Sequence, residues 1–204
     1  MIALLSTVQS LPDDERAAAE RALVPLARDA AIGALTVDIA HDAANALFGL
    51  TGLLGLLESG EELEAERIEL LQQAAGGLDG ILRPLLELAR ATRDDRRTAD
   101  LVSATRAAVA LYCHGERPGV ATHYPEGPVR VACPPALTMQ AAIHLLLAAR
   151  SDRELAVAVR EGTLEVGPAG DESLDELIAG RIAADHGGSV QRSTTSFRLL
   201  LPSA

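Results

Sequence analysis

Asp29-Ala30-Ala31-Ile32-Gly33-Ala34-Leu35-Thr36-Val37-Asp38-Ile39-Ala40-His41-Asp42-Ala43-Ala44-Asn45-Ala46-Leu47-Phe48 begins the stretch whose periodicity decides the fold. Across it and on to Glu58, the apolar residues Ile39, Ala43, Ala46, Leu50, Leu53 and Leu57 recur in steps of four and three, the spacing of a helix-bundle seam. His41 lies two positions from both Ile39 and Ala43, roughly 200° around a helix from each. It therefore points away from the seam. Asp38, Asn45 and Phe48 stand at i−3, i+4 and i+7 from His41 and share its face, which runs on toward the small residues Gly49 and Gly52.

Working outward, Ser59-Gly60 predicts a stop, and Glu61 to Ala91 predicts a second long helix with a seam of Ile68, Leu71, Ala75, Leu78, Leu82, Leu85 and Ala89. Two long helices joined by a short Gly-containing loop form an antiparallel αα-hairpin. Such a hairpin leaves its seam half exposed, so the simplest completion is a homodimeric four-helix bundle. Upstream, Ser10 to about Arg28 reads as an N-terminal helix with a cap at its start, acids in its first turn and an interruption at Pro25. Gly49, Gly52, Gly55, Gly76, Gly77, Gly80 and Pro84 weaken the two long helices, by about 1 kcal/mol per Gly and about 3 kcal/mol for the proline. Close helix approach is the expected reason for the glycines.

Composition narrows the function. The chain has 204 residues, 48% hydrophobic and only 2% aromatic, which favours helices packed through Ala and Leu. Its net charge of −11 opposes a nucleic-acid surface. Cys113 and Cys133 form neither a disulfide framework nor a zinc motif, and a reducing cytosol fits them. No apolar run approaches the roughly 20 residues of a spanning helix, and the first residues do not read as a leader, so no membrane association is expected.

Ala91 to Thr98 marks a linker, dividing residues 1–92 from residues 98–204. Beyond it the texture alternates between helix and strand. Helices are expected at Asp100 to about Tyr112, Pro135 to Arg150 and Ser173 to Asp185. Strands are expected at Gly119 to Tyr124, Val129 to Cys133, Glu154 to Arg160, Thr163 to Val166, Ser189 to Gln191 and Ser196 to Leu201. Glu161-Gly162 makes a hairpin turn. The class is α+β: a helical hairpin followed by a mixed sheet with helices on one face.

This order of parts resembles the cytoplasmic core of bacterial sensor histidine kinases, a dimerisation and phosphotransfer hairpin followed by an ATPase-like domain. The resemblance spans roughly Asp29 to Pro202. His41, Asp42 and Asn45 match the family's phosphoacceptor motif, with Ala46 where a proline is common, and Glu64 to Arg90 looks like the partner helix. The second domain looks like the ATPase fold with its chemistry removed. Where the family has two asparagines on one helix, the chain has His144 and Ala148; where it has an Asp-x-Gly-x-Gly box, the chain reads Leu164-Glu165-Val166-Gly167-Pro168-Ala169-Gly170. The second glycine box is replaced by Leu174-Asp175-Glu176-Leu177, and too few residues precede this helix for a nucleotide lid. His144 is expected as a partly buried core histidine, and His114 and His123 show no ligand spacing.

The resemblance then implies a histidine phosphotransferase on a degenerate kinase scaffold, relaying a phosphoryl group between receiver domains without ATP. His41 would carry the phosphoryl group, Asp42 and Asp38 would accept from the other ring nitrogen, and Asn45 would orient the phosphoryl oxygens. Phe48, Gly49 and Gly52 would dock the partner. The chain would bind no cofactor itself, Mg²⁺ coming from the receiver. The alternatives are a non-catalytic dimeric scaffold or inhibitor, a receiver phosphatase resting on Asn45, and an active histidine kinase.

Overall fold

The computed structural model describes residues 2–59, 65–89, 97–113, 119–149 and 152–204. A short helix α1 (Ile2–Gln9), not anticipated from the sequence, precedes α2 (Asp13–Glu58). Ser10 closes α1 through a hydrogen bond from its hydroxyl to the Thr7 carbonyl, and Pro12 rather than Ser10 stands at the start of α2. Asp13, Asp14 and Glu15 fill the first turn, where the helix dipole favours acids.

α2 is a single helix of 46 residues, about 69 Å long at 1.5 Å per residue. The expected break at Pro25 does not occur. Packing explains why: Leu23, Val24 and Ala27, on either side of the proline, lie against the core, and the Gln140 amide donates to the Val24 carbonyl at 2.9 Å. Burial on one side and an added donor offset the lost backbone bond. The N-terminal helix and the His41 helix are therefore one element.

α3 (Ala65–Ala89) packs antiparallel to α2 as the expected hairpin. The stop at Gly60, the first residues of the second helix at 61–64, Arg90 and the linker at 91–96 lie outside the described residues. Within one chain, α2 turns Ala31, Leu35 and Ile39 inward, followed by half-buried Ala43, Ala46, Leu50, Leu53 and Leu56. Leu57, assigned to the seam, is exposed. α3 turns in Leu71, Leu78, Ile81, Pro84, Leu85 and Leu88, whereas Ile68, Ala75, Leu82 and Ala89 face outward. The apolar residues of α3 cover more than one face, so period alone mixed two of them. The glycines also differ from expectation: a Cβ at Gly49, Gly52, Gly55, Gly76, Gly77 or Gly80 would meet nothing within 4 Å. No close approach among the described residues requires them.

The second part follows the expected elements closely. β1 (Ala99–Asp100), α4 (Leu101–Tyr112), β2 (Val120–His123), β3 (Arg130–Val131), α5 (Pro135–Ala148), β4 (Leu155–Arg160), β5 (Thr163–Gly167), α6 (Leu174–Asp185), β6 (Ser189–Arg192) and β7 (Phe197–Leu200) succeed one another. Five strands form a mixed sheet in the order β2-β4-β5-β7-β6, parallel only between β2 and β4; β1 and β3 pair separately. Alternation on β4 buries Leu155, Val157 and Val159 and exposes Ala156 and Arg160, so one face meets the helices. Glu161 and Gly162 make the β4–β5 turn with φ of 44° and 80°, a conformation in which glycine costs least. α5 is buried on nearly all sides.

The first half of α2 lies on this helix layer. Arg181 of α6, 12% exposed, bridges to Glu20 at 3.6 Å and to Asp185 at 2.6 Å, and Arg21 reaches Asp185 at 3.0 Å. Lower on the hairpin, Leu35, Ile39, Ile81 and Leu88 join the same core cluster as α4 and α5. Among the described residues no helix is long and apolar enough to cross a membrane.

Asp100 caps α4 and ties its start to the segment leading into β3. Its carboxylate accepts from the backbone N–H groups of Val102, Ser103 and Val129 and from the Ser103 hydroxyl. Partial burial pushes its pKa up, but the hydrogen bonds from Ser103, Val129 and Val102 outweigh burial and hold it below the ordinary aspartate value. A folded-state pKa below the unfolded one contributes stability above the unfolded pKa, and this is lost as pH falls through the folded value. Asp100→Ala is expected to cost about 1 kcal/mol at neutral pH. Its deficit against the wild type should shrink on acidification, as measured by urea midpoints through the carboxylate range.

Candidate functional site

α2 sets the position of His41 through its rotational phase. Leu35 and Ile39 are 1% and 3% exposed, which turns the imidazole outward, and the His41 side chain is 74% exposed. His41 sits just beyond the point where the hairpin joins the α4–α5 layer. The face read from the sequence is present: Asn45 and Phe48 are exposed, Phe48 at 82%, and Asp38 is half-buried one turn earlier. Gly49 and Gly52 are exposed with open space above them.

Both contacts to the ring fall on one nitrogen. Asp42 Oδ1 and Asn45 Nδ2 each lie 3.3 Å from His41 Nδ1. A ring nitrogen carries either a hydrogen or a lone pair, so these contacts are alternatives. Asp42 requires Nδ1–H, whereas the Asn45 amide requires the lone pair. The carboxylate is the stronger partner because its bond is charge-assisted, so Nδ1 holds the proton and Nε2 presents a lone pair toward solvent. Such a nitrogen is a nucleophile held in one tautomer. Neither contacting group is cationic, and the chain contains no lysine: all 18 basic residues are arginines. From Asp29 to Glu66 there is no arginine either. Whatever neutralises an anion at Nε2 does not come from this stretch.

The positions that the resemblance assigned to nucleotide chemistry are built differently. His144 is 1% exposed, more deeply buried than expected, and its Nδ1 lies 2.7 Å from Asp175 Oδ1. That bond ties α5 to α6. His144 Nε2 is buried with no hydrogen-bond partner among the described residues. Only residues 168–173 separate β5 from α6, and Ala169 makes a β-bridge with Ala149 at the end of α5. Gly170 is required there, because a Cβ would collide with the Ala148 carbonyl. The space between α5 and α6 is thus filled by their own side chains and by this short connection. Sequence reasoning named His144 and Asp175 separately but not their pairing, which depends on how two helices cross.

Among the described residues no group of three His, Cys, Asp or Glu side chains is arranged to hold a metal ion. Cys133 is fully buried, and its thiol is pushed up to about 11, desolvation outweighing a bond to Thr138, so it is unreactive. His123 is exposed on the edge strand β2; His114 lies outside the described residues.

No family model matches the sequence, and no curated protein matches it. Among solved structures, the Acinetobacter baumannii histidine kinase AdeS is similar at 13% identity over 80% of this chain and 98% of that one, with a TM-score of 0.38. A bacterial phosphotransferase shows 17% identity over 82% of this chain and 94% of its own, TM-score 0.40. The histidine kinase domain of the Escherichia coli osmosensor EnvZ shows 17% over 53% and 89%, TM-score 0.41. By their own descriptions these are a histidine kinase, a phosphotransferase and a histidine kinase domain. With TM-scores below 0.5, neither fold nor residue role is carried over from them to this chain.

The tautomer is directly measurable. In two-bond ¹⁵N–¹H correlation spectra at a pH where the ring is neutral, His41 is expected as the Nδ1–H form. Asp42→Ala should leave Nδ1 to the Asn45 amide and move the proton to Nε2.

Proposed function

We propose that the chain is a histidine phosphotransferase of two-component signalling, carrying a phosphoryl group on His41 between the receiver aspartates of other proteins. The observation that carries this reading is the outward, 74% exposed imidazole whose Nδ1 is held by Asp42. The Nε2 lone pair attacks the phosphorus of an aspartyl phosphate in line. The P–Nε2 bond forms as the P–O bond to the receiver breaks, and the receiver carboxylate is regenerated. Positive charge gained by the ring is offset by Asp42, and Asn45 orients the phosphoryl oxygens. Transfer to a second receiver is the reverse step. Mg²⁺ and a lysine belong to the receivers, in keeping with the lack of cations along α2 from Asp29 onward.

On this reading residues 98–204 are a scaffold that does not use ATP, and residues 1–92 form the phosphotransfer and dimerisation domain. The closed contact of α5 with α6 supports the first point. For the second, Leu47 and Leu54 are 55% and 53% exposed along one side of α2, and Ile68, Leu82 and Leu86 are exposed on α3. Large aliphatic side chains on both helices of a hairpin fit a second copy that completes a four-helix bundle. A soluble cytosolic protein is the setting this requires. Asn45, 3.3 Å from the ring, also supports a second reading as a receiver phosphatase, in which it would position water instead.

Incubation with phosphorylated receivers is expected to place acid-labile label on the wild type and none on His41→Ala. Asp42→Asn should slow transfer by about five- to thirtyfold, roughly 1–2 kcal/mol in barrier. Labelling by Mg²⁺-ATP alone would overturn the reading in favour of a kinase; labelling by neither donor would leave a scaffold. Leu47→Glu combined with Leu54→Glu is expected to convert a dimer to a monomer in sedimentation equilibrium.

A further inference from the structure

Bases are outnumbered by acids in this chain, 18 to 29, and most of the described arginines are engaged. Arg16, Arg21, Arg83, Arg181, Arg192 and Arg198 each bridge to an aspartate or glutamate, and Arg106 lies over the Tyr124 ring at 4.5 Å. Arg97 and Arg130 differ: neither guanidinium has a hydrogen-bond or ion-pair partner among the described residues. Both line one cavity of about 460 Å³, between the end of α3 and the start of the α/β part. Strand register brings them together, since Arg130 on β3 pairs with Asp100 on β1 and Arg97 stands three residues before Asp100. Glu87 of α3, Thr98 and Ser103 line the same cavity, with Pro135 and Met139 of α5. Its volume lies in the range that encloses a small metabolite.

The two acids at this cavity are in different states. Asp100 has both oxygens taken, Oδ1 by the N–H groups of Val102 and Val129 and Oδ2 by the N–H and hydroxyl of Ser103. Its charge serves the start of α4. Glu87 has no hydrogen-bond donor among the described residues and is open to a ligand.

We propose that this cavity binds a small phosphate monoester with a hydroxylated body, its phosphate between Arg97 and Arg130 and a hydroxyl donating to Glu87. Each guanidinium is a planar fork that matches two oxygens of a phosphate, and two of them balance its dianionic charge. A bare phosphate fills only a fraction of the space. The rest of the lining selects the body: Thr98, Ser103 and Glu87 offer hydrogen bonds to hydroxyls, and the Glu87 carboxylate repels a second anionic group. Glu87 belongs to α3, whereas both arginines belong to the segments around β1 and β3. A bound ligand therefore ties the hairpin to the α/β part, a role separate from the chemistry at His41.

Ribose 5-phosphate is the probe. Calorimetric titration of the full chain is expected to show one saturable site per chain with a Kd below about 1 mM, and a rise in melting temperature at saturation. Inorganic phosphate should bind at least about tenfold more weakly, with ribose and malonate weaker still. Arg97→Gln and Arg130→Gln, both at exposed positions, should melt like the wild type without ligand and each lose at least about tenfold in affinity. Arg160→Gln, on the outer face of the sheet, should bind like the wild type, and Glu87→Gln should narrow the gap between ribose 5-phosphate and inorganic phosphate. Absence of both heat and thermal shift with ribose 5-phosphate at about 10 mM overturns the site, as does an affinity that neither arginine variant changes. Inorganic phosphate binding as tightly as ribose 5-phosphate overturns the hydroxylated body, and malonate binding as tightly overturns the phosphate.

Discussion

Rotation of α2 about its own axis is the constraint on which the rest of the structure depends. Leu35 and Ile39 on α2, with Ile81 and Leu88 on α3, are buried in the same cluster as α4 and α5, and a helix has only one phase that buries them all. That phase leaves His41, two residues past Ile39, facing solvent. A shift of one residue, about 100°, would carry the imidazole toward the hairpin's flank and bring Ala40 or Asp42 to the front. The reactivity argued for Nε2 is thus a consequence of where two aliphatic side chains sit half a turn and a turn and a half earlier.

The length of α2 adds a second consequence. Its first half is part of the α/β layer, held by a hydrogen bond from the Gln140 side-chain amide to the Val24 carbonyl, by Arg181 between Glu20 and Asp185, and by packing of Leu23, Val24 and Ala27. Its second half carries His41 and projects as one arm of the hairpin. A continuous helix transmits orientation, because bending it breaks several backbone bonds at once. The α/β part therefore holds the His41-bearing helix at a set angle, and the His144–Asp175 bond joins the two helices of that support.

On the proposed function, electrostatics divides the labour between this chain and the receivers it would serve. Of the two groups at His41 Nδ1, the Asp42 carboxylate favours the Nδ1–H tautomer over the one the Asn45 amide would select, but the α2 stretch from Asp29 onward offers no arginine or lysine to a phosphoryl oxygen. Phosphoryl transfer needs that charge in place before the transition state. On the proposed reading, the nucleophile comes from this chain and the cations that speed transfer between proteins come from its partners.

Much of this was legible in the chain itself. The four-and-three spacing from Ile39 onward identified the helix and the outward direction of His41. Alternation in Leu155 to Arg160, the Glu161-Gly162 turn and the helical stretch from Ser173 to Asp185 placed β4, β5 and α6 within a residue or two, because these signals are local. Asp42 and Asn45 were likewise readable, being one residue and one turn from the ring. Local pattern failed where the answer depended on a distant surface. Pro25 reads as a break until the α5–α6 layer covers its flanks; Ile68 and Leu82 read as seam until the phase of α3 against α2 is set; and the glycines read as contact points although nothing among the described residues approaches them. The pairing of His144 with Asp175, 31 residues apart, came only from the crossing of two helices. Periodicity within one helix determined what the histidine could face. Packing between helices decided which of several apolar faces was inward, since burial is a property of pairs of surfaces and not of one sequence.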